Sequence, residues 1–165
     1  MKKIGVFFGS NSGATKTVAE LIATKFEIQA QDIADTDVED FEQYDLIILG
    51  TPTVNQGELQ SDWDYVLDEI EDIDLSSTRV ALFGLGDQSE YADTFVDALA
   101  DLAEVCTDAG ATIIGHWPSN GYQHTESRSE NDGEFIGLAL DMDRQPSLTK
   151  ERVDLWTSLL KTKLA

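Results

Sequence analysis

Apolar residues in this chain fall into short unbroken runs and stretches of helical spacing, and the two alternate from end to end. Ile4 to Phe8 is an apolar run without polar alternation, the pattern of a strand buried on both faces. Val18, Leu21, Ile22 and Phe26 then recur at i, i+3, i+4 and i+8, which predicts a helix. Ile28 to Ile33 reads as a second strand, and Asp45 to Gly50 as a third. Trp63, Val66, Leu67 and Ile70 mark a helix. Val80 to Phe83 is a fourth strand, and Phe95, Leu99, Leu102 and Cys106 share a helix face. Thr112 to Ile114 begins a fifth strand that ends near Trp117. Residues 118–133 are polar and Gly-containing and read as a loop. Phe135 to Leu140 resumes as a strand. Val153, Trp156 and Leu160 give the last helix, with Pro146 just ahead of it.

Alternating strands and helices imply a parallel sheet with helices on both faces. The expected fold is α/β: a doubly wound sheet in three layers. Residues 1–165 read as one domain, with the 118–133 stretch inserted into the last strand.

Charge narrows the function classes. The 165 residues hold 32 acidic and 11 basic side chains, a net charge of −21. Such a surface repels nucleic acid and anionic membranes and steers basic partners. General solubility or adaptation to salt would produce the same balance, and both readings stand. No apolar run approaches the length of a membrane span. The Ile4–Phe8 run after Lys2 and Lys3 is too short for a signal peptide, so a cytoplasmic location is expected. Cys106 is the single cysteine and cannot form an internal disulfide.

In sheets of this kind ligands bind beyond the carboxyl ends of the strands, where strand order reverses. After the first strand comes Gly9-Ser10-Asn11-Ser12-Gly13-Ala14-Thr15, leading into a helix. Small residues let the backbone wrap an anion, and the helix start offers free N–H groups. No Lys or Arg lies between Gly9 and Thr15. The Walker lysine is absent, and Gly9 and Gly13 do not fit a dinucleotide fingerprint. One terminal phosphate held by neutral donors remains as the ligand, beside the plainer reading of a turn that caps a helix. Two further loops follow the third and fourth strands: Thr51 to Gly57, and Gly84 to Tyr91. Tyr91 supplies an aromatic face at the same sheet edge. Neither a catalytic base nor a metal site is expected; His116, His124 and Cys106 read as structural or surface residues.

Taken together, Phe8-Gly9-Ser10-Asn11-Ser12-Gly13, Gly50-Thr51-Pro52-Thr53, Gly57 through Trp63 and Phe83-Gly84-Leu85-Gly86-Asp87-Gln88 resemble the flavodoxins. Gly121-Tyr122 and the stretch Phe135 to Asp141 are similar to the insertion and return strand of the long-chain branch. The resemblance implies the flavodoxin-like sheet order 2-1-3-4-5, with FMN at the switch point; flavodoxin is itself an established example of that rule.

It also implies residue roles. Ser10, Asn11, Ser12, Gly13, Ala14 and Thr15 would hold the FMN phosphate. Thr53 and Asp143 would face the ribityl chain. Tyr91 would stack on the outer face of the flavin. Val54 stands on the inner face, where many relatives place a tryptophan. The Asn55–Gln56 peptide would sit beside flavin N5. Gly57, Asp87 and Thr94, with Gly86 adjacent, would meet the polar edge of the ring. Asp62, Asp64, Asp87 and Asp93 would repel negative charge on the reduced ring. The implied function is a low-potential one-electron carrier with non-covalent FMN, an electron-transfer protein and not an enzyme. The alternatives are an FMN-dependent quinone or nitro-group reductase and a flavin-free acidic interaction module. Implied partners are basic redox proteins: a ferredoxin/flavodoxin–NADP reductase, photosystem I or nitrogenase. The chain is expected to be a monomer.

Overall fold

The apolar runs become neighbouring strands of one sheet. The computed structural model describes residues 2–164. In chain order the elements are β1 (Ile4–Phe8), α1 (Ala14–Lys25), β2 (Ala30–Asp32), β3 (Leu46–Val54), β4 (Glu58–Leu59) and α2 (Ser61–Glu71). There follow β5 (Arg79–Leu85), α3 (Ala98–Asp108), β6 (Thr112–Ile114), β7 (Trp117–Pro118), β8 (Glu130–Asn131), β9 (Glu134–Phe135), β10 (Leu138–Leu140) and α4 (Thr149–Leu164).

β1 lies parallel between β2 and β3, and β3 pairs in parallel with β5 from Leu46–Arg79 to Pro52–Leu85. The fifth position is shared. β6 pairs with Arg79–Ala81 and β10 with Phe83–Leu85, both parallel. The order is therefore the expected 2-1-3-4-5, with the fifth strand split in two.

The runs are continuous because both faces of the sheet are covered. Val6 and Phe8 point to one side and Phe7 to the other; Leu46 and Ile48 oppose Ile47 and Leu49; Ala81 and Phe83 oppose Val80 and Leu82. One face packs against α1 and α4 through Val18, Ile22, Val153 and Trp156. The other packs against α2 and α3 through Trp63, Ile70, Leu99 and Leu102.

Several boundaries differ from the sequence reading. Residues 118–133 are not simply a loop: β7, β9 and β8, between Trp117 and Phe135, form a small antiparallel sheet that brackets the insertion. Asp132 and Gly133 both have positive φ (52° and 79°), the geometry of a tight hairpin turn between β8 and β9. Phe135 belongs to this hairpin, and only Leu138–Leu140 returns to the main sheet. β2 is shorter than Ile28–Ile33, because Asp32 accepts from the Ala34 amide and opens a 3-10 turn over Ile33–Asp35. β3 runs on to Val54, since β4 folds back on it. Phe95 precedes α3 instead of lying on it.

Candidate functional site

The loop after β1 is braced from the opposite side of the sheet edge. The Gly9 amide donates to the Gly50 carbonyl at 3.1 Å. A Cβ on Gly9 would collide with the side chains of Gln60 and Trp63. Gln60, 1 % exposed, accepts from the Asp62 and Trp63 amides at 3.0 and 3.3 Å and so caps α2. Its Nε2 donates to Asn11 Oδ1 at 3.1 Å and to Asp62 Oδ2 at 2.9 Å. Within the loop the Gly13 amide donates to Ser10 Oγ at 2.9 Å. Gly13 starts α1 in the left-handed region, with no side chain capping the helix. The first-turn amides are thus offered outward, at the positive end of the helix dipole. Ser10, Ser12 and buried Thr15 add hydroxyls, and no cationic side chain stands among residues 9–15.

The turn after β3 comes next. Asn55 (φ 50°) and Gly57 (φ 93°) both take positive φ between β3 and β4. Asn55 Nδ2 donates to Glu58 Oε2 at 2.6 Å. A Cβ on Gly57 would stand 3.1 Å from Asp97 Oδ2 and 3.4 Å from Thr94 Cβ, so only glycine suits both the backbone and the space. This places Thr94 against the turn. Thr94 Oγ1 is buried without a hydrogen-bond partner among the described residues. Val54 is half-buried, and Asn55 and Gln56 are exposed. Thr53 Oγ1 accepts from the Ala98 amide at 3.2 Å, which commits one lone pair to the start of α3.

The loop after β5 completes the edge. The Gly86 amide donates to the Leu140 carbonyl at 3.0 Å, and the Tyr91 amide to the Asp87 carbonyl at 3.0 Å. Tyr91 is 38 % exposed. Asp87 Oδ1 accepts from the Ser89 and Glu90 amides and from Arg144 Nε at 3.0 Å. Partial burial raises the Asp87 pKa, but Arg144 and the two amides outweigh it and hold it below the usual carboxylate value. The ion pair with Arg144 partly offsets the negative charge of Asp87, one of the carboxylates expected to repel charge on the reduced ring. Asp64 and Asp93 are exposed, and Asp62 takes the Gln60 amide.

Asp143 is exposed, and its amide donates to Asp141 Oδ1 at 3.0 Å. Asp141 is the hub here, at 0 % exposure. Its Oδ1 also accepts from the Arg144 amide at 2.8 Å, and its Oδ2 from the Gln88 amide and Gln88 Nε2, both at 2.9 Å. The loops after β5 and β10 are thereby tied together. His124 and Cys106 take no part in these hydrogen bonds. His124 packs between Phe95 and Phe135, with Nε2 2.7 Å from Glu130 Oε1. Burial pushes the Cys106 thiol up to about 12 and leaves it unreactive.

The family model for flavodoxin matches residues 6–156. The chain belongs to the flavodoxin family. A flavodoxin of Picosynechococcus sp. is 46 % identical over 165 residues, covering 98 % of this chain and 97 % of that one. Flavodoxin 1 of Escherichia coli is 44 % identical over 164 residues, covering 97 % and 93 %. A solved structure of Fusobacterium nucleatum flavodoxin bound to flavin mononucleotide superposes with a TM-score of 0.93 at 29 % identity, covering 99 % of each chain.

Gln60 and Asp141, with their partners Gln88 and Arg144, have no role in the sequence reading. Gln60 stands one position before α2, where a capping side chain is expected. Asp141 directly follows a buried strand and precedes Asp143, an arrangement that suits a carboxylate bonding to amides two and three residues on.

Proposed function

We propose that this protein is an electron carrier built on non-covalently bound FMN. The observation that carries the reading is the convergence of three loops at the switch point. One offers a helix start with neutral donors only, the second a glycine turn, and the third a partly exposed tyrosine. The fit is supported by the buried, unpartnered Thr94 hydroxyl beside Gly57, which a ligand's polar edge would satisfy.

Bound FMN would supply reversible one-electron chemistry, which the protein tunes. The amides and hydroxyls from Ser10 to Thr15, with Asn11 and Ser12, would bind the phosphate without a counter-cation. Thr53 and Asp143 would face the ribityl chain. Tyr91 would cover the outer ring face and Val54 the inner one. Valine shields less area than an aromatic, so affinity rests more on Tyr91 and the phosphate loop. The Asn55–Gln56 peptide would sit beside N5, where its carbonyl would offer a hydrogen-bond acceptor, and Gly57 would meet the polar edge of the ring. Gly86, Asp87 and Thr94 line the polar edge. Asp62, Asp64 and Asp93 would disfavour added negative charge on the ring, while Arg144 mutes Asp87.

Flavodoxins are electron-transfer proteins that work with redox partners, which favours the carrier over the reductase reading. Partners are proposed to be basic: a ferredoxin/flavodoxin–NADP reductase, photosystem I or nitrogenase. A groove of about 550 Å³ between α2 and α3 includes Gly57 and is lined by Glu58, Asp64, Glu71, Asp101, Glu104 and Asp108. Its charge complements such partners. No helix among the described residues is long and apolar enough to cross a membrane. We place the protein in the cytoplasm as a monomer.

The test is a titration of apoprotein with FMN followed by stepwise reduction. One FMN should bind per chain, and reduction should pass through two separated one-electron steps. A single two-electron step, or rapid quinone reduction by NADPH with this protein alone, would refute the carrier.

A further inference from the structure

The insertion reaches the cofactor loops through a set of bonds that the proposed electron carriage leaves unexplained. The segment 88–97 carries Tyr91 and Thr94 and has no regular secondary structure. Residues 123–129 of the insertion run alongside it. The Gln123 amide donates to Gln88 Oε1. The Thr125 and Glu126 amides both donate to the Ala92 carbonyl, at 2.7 and 3.0 Å, and the Phe95 amide donates to the Glu126 carbonyl at 3.3 Å. The Arg128 amide donates to Asp97 Oδ1 at 2.8 Å. Ser129 Oγ donates to the Val96 carbonyl at 2.7 Å.

Val96 is the unusual member. Its φ is 47°, in the left-handed region. A β-branched residue rarely enters that region, and it stays there only when its surroundings hold it. Its side chain is fully buried, so it cannot relax freely outward. Ser129 is 4 % exposed, and its own amide is satisfied by Ser127 Oγ at 3.1 Å. The hydroxyl donates to the Val96 carbonyl, which also accepts from the Leu99 amide at 3.1 Å at the start of α3. The chain reaches Val96 through linked turns: the Tyr91 amide bonds to the Asp87 carbonyl, Thr94 to Tyr91, and Asp97 to Thr94. Val96 lies inside the Thr94–Asp97 turn, which follows directly on the Tyr91–Thr94 turn.

We propose that Ser129 is a positioning residue for the cofactor site: its hydroxyl latches Val96 in the left-handed conformation and thereby sets where Tyr91 and Thr94 stand. The insertion is then part of the flavin pocket without touching the flavin. The proposal rests on the reading of Tyr91 as the residue that covers the ring.

The test measures FMN dissociation constants, by quenching of flavin fluorescence, for the native chain, Ser129→Ala, Tyr91→Ala and the double variant. Ser129→Ala should weaken binding about tenfold in the native background and by less than about threefold once Tyr91 is gone, because the two act as one unit. In the apoprotein, Ser129→Ala should speed amide exchange over 92–97 and leave β1, β3 and β5 unchanged. Ser129→Cys, close in shape and a weaker donor, should lose less affinity. Should Ser129→Ala not fold, Ser129→Cys is measured in both backgrounds, and its smaller loss should again shrink once Tyr91 is gone. Equal losses in the two backgrounds, or no loss with Tyr91 present, would overturn the latch. An unchanged affinity in Tyr91→Ala would instead overturn the stacking assignment, and the latch with it.

Discussion

Replacing Asp141 by asparagine tests how the β5 and β10 loops are held. The carboxylate accepts four hydrogen bonds at 0 % exposure, two on each oxygen. Asparagine keeps one acceptor oxygen and puts an NH₂ in place of the other. Whichever way it turns, two N–H donors face a donor. Gln88 cannot reverse its amide to compensate, because its Oε1 already accepts from the Gln123 amide. A hydrogen bond to a charged acceptor is worth about 1.5–3 kcal/mol, and a buried donor left unpaired costs about 1–3 kcal/mol. Two bonds that share one oxygen are not additive, so the expected loss is about 3–4 kcal/mol. In a domain of this size each kcal/mol lowers Tm by about 2–4 °C, giving a fall of about 6–16 °C. The assay is thermal unfolding of the apoprotein at pH 7, followed by circular dichroism. Asp143→Asn, on an exposed side chain, serves as the control. A fall of less than about 3 °C for Asp141→Asn would show that these bonds do not stabilise the fold.

Gln60→Ala removes the cap of α2 and the brace on Asn11; it should cost about 1–2 kcal/mol in denaturant unfolding. The same change should weaken FMN binding, read by fluorescence quenching. Asp97 titrates above the usual carboxylate value because burial outweighs the Arg128 amide and charge, with Asp101 and Asp93 adding repulsion. The folded state therefore binds more protons than the unfolded state between 3.8 and the raised folded value, and stability from this group falls as pH rises through that window. Asp97→Asn, which keeps an acceptor for the Arg128 amide, should gain in Tm relative to the native chain as pH is raised from about 4 to 7; an unchanged difference would refute the shift.

The central strands were legible because burial on both faces leaves no polar position inside them, and the helices because one face of each is apolar. The loop from Gly9 to Thr15 was legible as the entry to α1, because small turn residues stand directly ahead of a run with helical spacing. What escaped was whatever depends on a distant partner. Gln60 meets Asn11 across 49 positions, Gln88 meets Asp141 across 53, and Arg144 meets Asp87 across 57. No periodicity records such pairs. The hairpin in the insertion escaped for a different reason. Asp132-Gly133 is a strong turn signal, but its flanking strands are two residues long and show no alternation. Phe95 kept the spacing of a helical residue although Val96 turns the chain just before α3 begins.

The split fifth strand has a bearing on how copies of this molecule meet. A sheet edge exposes unpaired N–H and C=O groups that can recruit another chain. Here that edge is cut into β6 and β10, each three residues long, with the insertion emerging between them. The opposite edge, β2, is also three residues long; it ends on Asp32, and Asp35 and Asp37 follow closely. Neither side offers a template long enough to register a foreign strand. The same interruption that carries the insertion also guards the sheet against edge-to-edge aggregation.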